Sequence, residues 1–203
     1  MKKLLVSQRV IFDKKTKTFR DALDHELVKF FYKNKFILIP IPNLSLSNYK
    51  IKIYINNLIK SLNIKGIVLS GGNDINEYTS RDKIEKCLLE ISQKKHLPVF
   101  GICRGMQMMA HYFLIKLKKI KGHVATRHLV INEKNKKKRI VNSFHNWSLI
   151  KSPPNFEILY KAKDNTIEAF KNKSLKWEAC MWHPEREKIY NKDDCKIIMK
   201  LFE

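Results

Sequence analysis

The stretch from Pro98 to Gln107 reads Pro-Val-Phe-Gly-Ile-Cys-Arg-Gly-Met-Gln and decides the fold of this 203-residue chain. It begins as a short apolar run, typical of a buried strand, and continues into an amphipathic helical pattern. Gly101 and Gly105 stand two residues to either side of Cys103. This G-x-nucleophile-x-G spacing is typical of a tight, strained turn that exposes its central side chain between a strand and a helix. We therefore predict that Cys103 is a nucleophile, the alternative being a buried structural cysteine.

On both sides of this turn, apolar runs alternate with amphipathic stretches. The pattern predicts strands at 4–7, 36–39, 66–70 and 98–102, and helices at 19–34, 49–62, 81–95 and 104–117. Shorter runs that are typical of antiparallel or mixed strands follow at 126–131, 139–143, 156–162, 166–170 and 177–182, before a closing helix at 192–202. We predict a single α/β domain over residues 1–203, with a doubly wound, mostly parallel sheet flanked by helices and a β-rich C-terminal part.

The composition excludes several classes of protein. Hydrophobic residues make up 44% of the chain, enough for a core, but no apolar run is long enough for a transmembrane helix. Gln8 and Arg9 follow the first apolar residues too soon for a signal peptide. The four cysteines show no CxxC pairing, so we expect a cytoplasmic protein with no disulfide framework and no metal site.

The chain carries 41 Lys and Arg against 19 Asp and Glu, a formal charge of +22. The excess is spread over both halves, with a concentration of ten basic residues against Glu133 alone between positions 114 and 139. A nucleic-acid patch, a solvated surface and attraction of a small anionic substrate are the three interpretations. No aromatic residues are interleaved with the basic ones, so we favour a solvated surface and expect no nucleic-acid partner.

A cysteine nucleophile needs a general base and a group that orients the base. His183 and Glu185 follow a late apolar strand and are separated by Pro184, which fixes the turn. This spacing predicts a hydrogen bond between the Glu185 carboxylate and the His183 imidazole. The alternative for Glu185 is an ion pair with Arg186 or Lys188.

The cysteine turn and the late His-Pro-Glu motif together resemble the class I glutamine amidotransferases. Three further motifs are more similar to one branch of that family, the stand-alone γ-glutamyl hydrolases of the γ-glutamyl-γ-aminobutyrate hydrolase type: Arg81-Asp82-x-x-Glu85, Val141-Asn142-Ser143-x-His145 and the stretch from Lys163 to Ala169. The resemblance runs from about Gly66 to Glu185. It implies the flavodoxin-like fold of that family and hydrolysis of a γ-glutamyl bond.

The resemblance also implies roles for single residues. Cys103, His183 and Glu185 would form a catalytic triad that works through a γ-glutamyl thioester and needs no cofactor. The backbone amides of Gly71 or Gly72 and of Arg104 would form the oxyanion hole. The substrate would be held by Gln107, Ser143, Phe144, His145 and Trp147. Alternatives remain for Gln107, which would then cap local backbone, and for His145, which would then be a packing residue.

Trp147 departs from the branch, which often has a glutamine at this place, and it offers a stacking face instead. The resemblance is closest to hydrolases of γ-glutamyl-CDP-amidate in capsule phosphoramidate biosynthesis, which implies a nucleotide-bearing small-molecule substrate. Arg9, Arg104, Lys121 or Arg127 would attract such an anion. The alternative function is a glutaminase subunit that delivers ammonia to a separate synthetase. We expect a monomer or a homodimer.

Overall fold

The computed structural model describes residues 1–203 and is built around one nine-stranded sheet. The strands are β1 (Lys2–Ser7), β2 (Arg9–Asp13), β3 (Thr18–Ala22), β4 (Phe36–Ile41), β5 (Ile64–Leu69), β6 (Val99–Ile102), β7 (Leu117–Lys119), β8 (Thr126–Asn132), β9 (Lys138–Ser143), β10 (Trp147–Leu149), β11 (Glu157–Ala162), β12 (Ile167–Asn172) and β13 (Trp177–Cys180). The helices are α1 (His25–Lys33), α2 (Asn48–Leu62), α3 (Thr79–Lys95), α4 (Arg104–Tyr112) and α5 (Lys192–Phe202). None of these helices is both long and apolar enough to cross a membrane.

The large sheet is parallel in one half and antiparallel in the other. Its strand order is β4-β1-β5-β6-β13-β12-β11-β8-β9. The first five strands pair in parallel, whereas β12, β11, β8 and β9 pair antiparallel. The predicted α/β fold with a β-rich C-terminal part is confirmed, and β13 is the strand that joins the two halves.

Helices cover both faces of the parallel half of the sheet. Successive residues of a strand point to opposite faces, so each buried strand contributes to two cores. On β1, Leu5 belongs to the core under α2, α3 and α4, whereas Leu4 and Val6 belong to the core under α1 and α5. Leu27, Phe30 and Phe31 form the buried face of α1, at the spacing that one side of a helix requires. The doubly wound arrangement therefore follows from continuous apolar strands, as the sequence predicted.

Two predicted helices differ from those observed. The helix predicted over 19–34 begins only at His25, where the Asp24 carboxylate accepts the Glu26 N–H, and the residues before it form the β2–β3 hairpin. The turn of this hairpin is held by Asp13, whose carboxylate accepts the N–H groups of the residues two and three positions later. The helix predicted over 104–117 ends at Tyr112, and Leu117–Lys119 becomes β7 paired with β10.

The strand predicted to stop before Pro40 instead runs through it to Ile41. β4 lies at the edge of the sheet and pairs only with β1. A proline lacks the N–H group that a central strand needs, and an edge strand tolerates this loss.

Candidate active site

Cys103 occupies the sharp turn between β6 and α4. Its backbone has φ 52° and ψ −104°, a conformation that a residue with a side chain rarely adopts. A Cβ atom on Gly105 would collide with the Leu69 carbonyl oxygen, and one on Gly101 would lie 2.9 Å from the Gly105 carbonyl carbon. The two glycines therefore permit the close packing that holds Cys103 in its strained position.

His183 and Glu185 lie just beyond the end of β13, where a single 3-10 turn (Pro184–Arg186) follows. The His183 Nδ1 donates to Glu185 Oε1 at 2.7 Å, and both residues are buried. Asn142 fixes the backbone of His183, because its Oδ1 accepts the His183 N–H and its Nδ2 donates to the His183 carbonyl, each at 2.8 Å. The predicted hydrogen bond is present. The positioning role of Asn142 had no signal in the sequence beyond its place in the Val-Asn-Ser motif.

The environment of His183 favours its protonated form. Burial opposes the charge, but hydrogen bonds with Cys103 and Glu185 and the negative charge of these groups outweigh burial and raise the pKa of His183 to about 9. Since Nδ1 faces Glu185, the opposite ring nitrogen is the one available to Cys103. The pair is thus arranged for proton transfer between the imidazole and a group bound at Cys103.

The raised pKa predicts how His183 affects stability with pH. A group with a higher pKa in the folded state stabilises the fold below its unfolded pKa of 6.5, and this contribution is lost as the pH rises towards about 9. We expect the free energy of urea unfolding to fall between pH 6.5 and 9 by on the order of 1–3 kcal/mol more in the wild type than in a His183→Gln variant. The same pH dependence in both proteins would contradict this prediction.

Gly71 and Gly72 follow β5 and lie beside the catalytic candidates. A Cβ atom on Gly71 would lie 2.8 Å from the His183 ring and 3.7 Å from Cys103 Cβ. Gly72 has φ +81°, a value that glycine adopts without strain. The structure therefore places both glycines and the first residue of α4, Arg104, around Cys103. Their role as an oxyanion hole stays a prediction.

A buried ion-pair network supports this arrangement. Arg81 donates to the carbonyl oxygens of Ser70 (2.8 Å), Gly71 (3.1 Å) and Gly72, and to the Glu85 carboxylate at 3.0 Å. Arg104 pairs with the same Glu85 carboxylate and with Asp82. The network thus connects the Gly71–Gly72 loop to the start of α4.

This pairing contradicts the expectation that Arg104 attracts an anionic substrate. The Arg104 guanidinium is buried and neutralised by Asp82 and Glu85, so it does not attract an anionic substrate. Of the other basic candidates, Arg127 pairs with Glu187 at 3.1 Å, whereas Arg9 lines the cleft against Gly72. Arg9 is therefore the predicted basic residue that the structure brings to the site.

A cleft of about 290 Å³ opens beside Cys103 and His183. Gln107 and Phe144 line it: the Gln107 amide donates to the Trp147 carbonyl at 3.2 Å, and the Phe144 ring packs edge-on at 5.6 Å from that of His183. Ser143 is fully buried away from the cleft and donates its hydroxyl to the His123 carbonyl at 2.6 Å. The structure thus brings two of these three predicted substrate-binding residues to the cleft.

His145 and Trp147 lie at the border of the cleft. His145 lines it, but its Nδ1 donates to the Trp147 carbonyl at 3.1 Å and its Nε2 lies 3.4 Å from Glu168. The Trp147 indole donates to Asp74 at 3.0 Å and lines a second cavity of about 400 Å³. Their part in substrate binding stays a prediction.

The two lysine-rich runs occupy different places. Residues 116–121 include β7, which pairs with β10, and the Lys119 ammonium lies 5.5 Å from the centre of the Trp147 ring. Residues 134–139 lie at the tip of the β8–β9 hairpin, about 16 Å of strand away from Ser143. Only the first run therefore borders the cleft region.

Comparison with known proteins agrees with the geometry. The sequence model described as Glutamine amidotransferase class-I matches residues 14–200. The chain is 37% identical over 194 residues to the gamma-glutamyl-CDP-amidate hydrolase of Campylobacter jejuni, a match that covers 92% of this chain and 91% of that protein. It is 33% identical over 137 residues to a glutamine-hydrolyzing GMP synthase subunit of Thermococcus kodakarensis, covering 63% of this chain and 69% of that protein.

Solved structures share the fold at lower identity. A Thermoplasma acidophilum protein, solved as a candidate GMP synthase subunit, matches with a TM-score of 0.72 and 20% identity over 100% of this chain and 92% of that one. A glutamine amidotransferase of Thermotoga maritima matches with a TM-score of 0.65 and 16% identity over 91% of this chain and 76% of that one. With the family model covering most of its length, the chain belongs to the class I glutamine amidotransferase family.

Proposed function

We propose that this chain is a hydrolase that cleaves a γ-glutamyl amide-type bond through a thioester on Cys103 and releases glutamate. The observation that carries the proposal is that Cys103 and His183 line one cleft, while the buried Glu185 carboxylate holds the His183 imidazole from behind at 2.7 Å. We further propose that residues 1–203 act as a single domain in the cytoplasm, without a nucleic-acid partner.

The first half of the reaction forms the thioester. The Cys103 sulfur attacks the γ-carbonyl carbon, and the carbonyl oxygen gains negative charge beside the backbone N–H groups of Gly72 and Arg104. Protonated His183 donates its proton to the leaving nitrogen as the carbon–nitrogen bond breaks. Glu185 keeps the imidazole oriented and stabilises its charge.

The second half of the reaction restores the enzyme. Neutral His183 takes a proton from water, and the resulting hydroxide attacks the thioester carbon. The carbon–sulfur bond breaks, glutamate leaves, and the Cys103 thiolate and the His183 imidazolium are regenerated. Cysteine, histidine and amide donors supply every step, and no cofactor enters.

We propose that the leaving group carries a nucleotide, as in γ-glutamyl-CDP-amidate. The similarity to the Campylobacter jejuni hydrolase supports this substrate class. Arg9 lines the cleft and supplies positive charge for a diphosphate. Beyond Asp74, the Trp147 ring borders the second cavity, where a base has room to stack.

A Trp147→Ala variant tests the nucleotide part of this proposal. We expect its kcat/KM towards γ-glutamyl-CDP-amidate to fall by about 10- to 100-fold, because stacking of a base on an aromatic ring is worth about 1–3 kcal/mol. Turnover of γ-glutamyl p-nitroanilide, which lacks a base, should change little. Trp147→Phe is the matched control and should retain most of the activity. Equal losses on both substrates would count against stacking.

The second candidate function is a glutaminase subunit, and the similarity to the Thermococcus kodakarensis GMP synthase subunit favours it. Rates of glutamate release by the purified chain from glutamine, γ-glutamyl-γ-aminobutyrate and γ-glutamyl-CDP-amidate separate the two. A stand-alone hydrolase should turn over the nucleotide conjugate without a partner and with the highest kcat/KM of the three. Glutamine hydrolysis that appears only when a synthetase is added would support the second function instead.

A further inference from the structure

Three histidines and one glutamate converge in the antiparallel half of the sheet, behind the cleft wall that His145 contributes. His123 precedes β8, His128 lies on β8, His145 follows β9 and Glu168 lies on β12. One ligand atom from each lies within 4.8 Å of all the others. Their side chains are 6%, 16%, 1% and 0% exposed, respectively. The four side chains thus direct polar atoms towards the same buried position.

The facing atoms of this His-Glu cluster do not satisfy one another. His123 Nδ1, His128 Nε2, His145 Nε2 and both Glu168 carboxylate oxygens are buried and have no hydrogen-bond partner. The three nitrogens lie 3.6, 3.4 and 3.4 Å from the nearer Glu168 oxygen, longer than an ordinary hydrogen bond. Buried polar groups without hydrogen bonds cost several kcal/mol, so a cation bound between these atoms would stabilise the cluster.

The spacing of these atoms fits a small tetrahedral cation. Zinc binds imidazole nitrogen and carboxylate oxygen at about 2.0–2.2 Å, which places neighbouring ligand atoms of a tetrahedron about 3.3–3.6 Å apart. His145 Nε2 and His123 Nδ1 lie 3.4 and 3.6 Å from Glu168 Oε1, and His128 Nε2 lies 3.4 Å from Glu168 Oε2. All four ligand atoms lie within 4.8 Å of one another, so small side-chain rotations would bring them onto one ion. Nitrogen and oxygen donors of this kind are those that zinc prefers.

In two of the three histidines, the opposite ring nitrogen has the kind of partner found in metal-binding histidines. His123 Nε2 donates to the Asp164 carboxylate at 2.9 Å, and His145 Nδ1 donates to the Trp147 carbonyl at 3.1 Å. Each of these bonds places the proton on the outer nitrogen and leaves the inner lone pair facing the cluster. Such outer partners typically orient the histidines of a metal site.

We propose that His123, His128, His145 and Glu168 bind one Zn²⁺ ion, and that the site is structural. Four protein ligands complete the tetrahedron and leave no position for a substrate or a reactive water. The ion would fix the β8–β9 region against β12 and hold the cleft wall at His145. The site is separate from the chemistry proposed for Cys103. The sequence predicted no metal because that expectation rested on the cysteines alone, which form no paired motif. His123 and His128 are five residues apart, a spacing that zinc sites use, but His145 and Glu168 join them only in the fold.

The test uses the full chain carrying Cys103→Ala, so that the nucleophile cannot bind metal. Chelator-treated protein is titrated with Zn²⁺ in competition with a chromophoric chelator, and separately with Co²⁺ while the visible absorption is recorded. We expect one ion per chain, intense Co²⁺ bands typical of tetrahedral coordination, and a higher melting temperature when Zn²⁺ is bound. A chain that binds neither ion stoichiometrically would overturn the proposal. The cluster would then be explained by an ion pair between a protonated histidine and Glu168.

Variants locate the ion within the chain. Glu168→Gln and His128→Gln should weaken Zn²⁺ binding by at least about 100-fold, and Asp164→Asn by about 10- to 100-fold. The Asp164 side chain is 52% exposed, so its variant remains informative if the buried variants fail to fold. His25→Gln, on the exposed side of α1, is the matched control and should bind Zn²⁺ as before. Unchanged binding in the Asp164 and His128 variants would place the metal elsewhere and overturn the assignment.

Discussion

A Cys103→Ala variant is expected to lose at least about 10⁴-fold in kcat for glutamate release while remaining folded. Cys103 is the one cysteine that lines the cleft, since Cys87 and Cys180 are buried in the core and Cys195 lies on α5. Without the sulfur no thioester forms, and the remaining groups only polarise the substrate. Binding should persist, because the side chains and amides proposed to hold the substrate are unchanged.

The measurement pairs steady-state release of glutamate with binding of the uncleaved substrate by calorimetry. Cys195→Ala is the matched control, because it removes a half-buried thiol far from the cleft and should leave kcat within about twofold. A Cys103→Ala protein with turnover near that of the wild type would refute covalent catalysis by this residue. Loss of binding together with turnover would indicate that the cysteine acts in binding.

An Arg104→Met variant is expected to destabilise the fold by about 3–5 kcal/mol. The methionine fills a similar volume but leaves the Glu85 and Asp82 carboxylates without their cation. Glu85 is completely buried and keeps Arg81 as its one cationic partner, so its charge becomes costly. The damage should spread to the Gly71–Gly72 loop, because Arg81 holds its carbonyls and shares Glu85 with Arg104.

Urea unfolding of the variant and of Arg186→Met gives the comparison. Arg186 forms a surface ion pair with Asp24 at 3.3 Å, so its loss should cost less than about 1 kcal/mol. A cost below about 1 kcal/mol for Arg104→Met as well would show that the buried network does not stabilise the fold. A protein that fails to fold at all would agree with the prediction. Arg104→Lys, which keeps the positive charge, would then give a lower limit for the loss in the free energy of unfolding.

The parallel half of the fold was predictable because its strands contain continuous apolar stretches, such as Leu4–Val6 on β1 and Ile67–Leu69 on β5. β6 is buried at every residue, and the glycines around Cys103 mark its end. The His183–Glu185 contact was predictable for a different reason. Pro184 restricts the backbone between His183 and Glu185, so the two side chains have few relative orientations available.

The β2–β3 hairpin and the His-Glu cluster were not predictable, because both depend on contacts between distant segments. β3 is almost wholly exposed, so it carries no pattern of burial, and the hairpin is fixed by Asn73, which exchanges two hydrogen bonds with the backbone of Val10. The cluster likewise gathers its residues from three separate parts of the chain, at 123–128, 145 and 168. Sequence patterns that repeat within one element cannot reveal either arrangement.

Only part of the excess positive charge of +22 lies where it could act on a substrate. In the run at 134–139, which lies at the tip of a hairpin, the lysines are exposed, whereas Arg139 pairs with Asp194 at 2.8 Å. The run at 116–121 passes Trp147, so its lysines are the ones to test for attraction of an anionic leaving group.

The most direct test of the central proposal is the intact mass of the protein after rapid mixing with γ-glutamyl-CDP-amidate and acid quenching. We predict a transient increase equal to one γ-glutamyl group, located by peptide mapping on Cys103 and lost on treatment with hydroxylamine. We also predict no such increase in Cys103→Ala. Glutamate release by the wild type without any adduct, together with release by Cys103→Ala at an unchanged rate, would contradict covalent catalysis at Cys103.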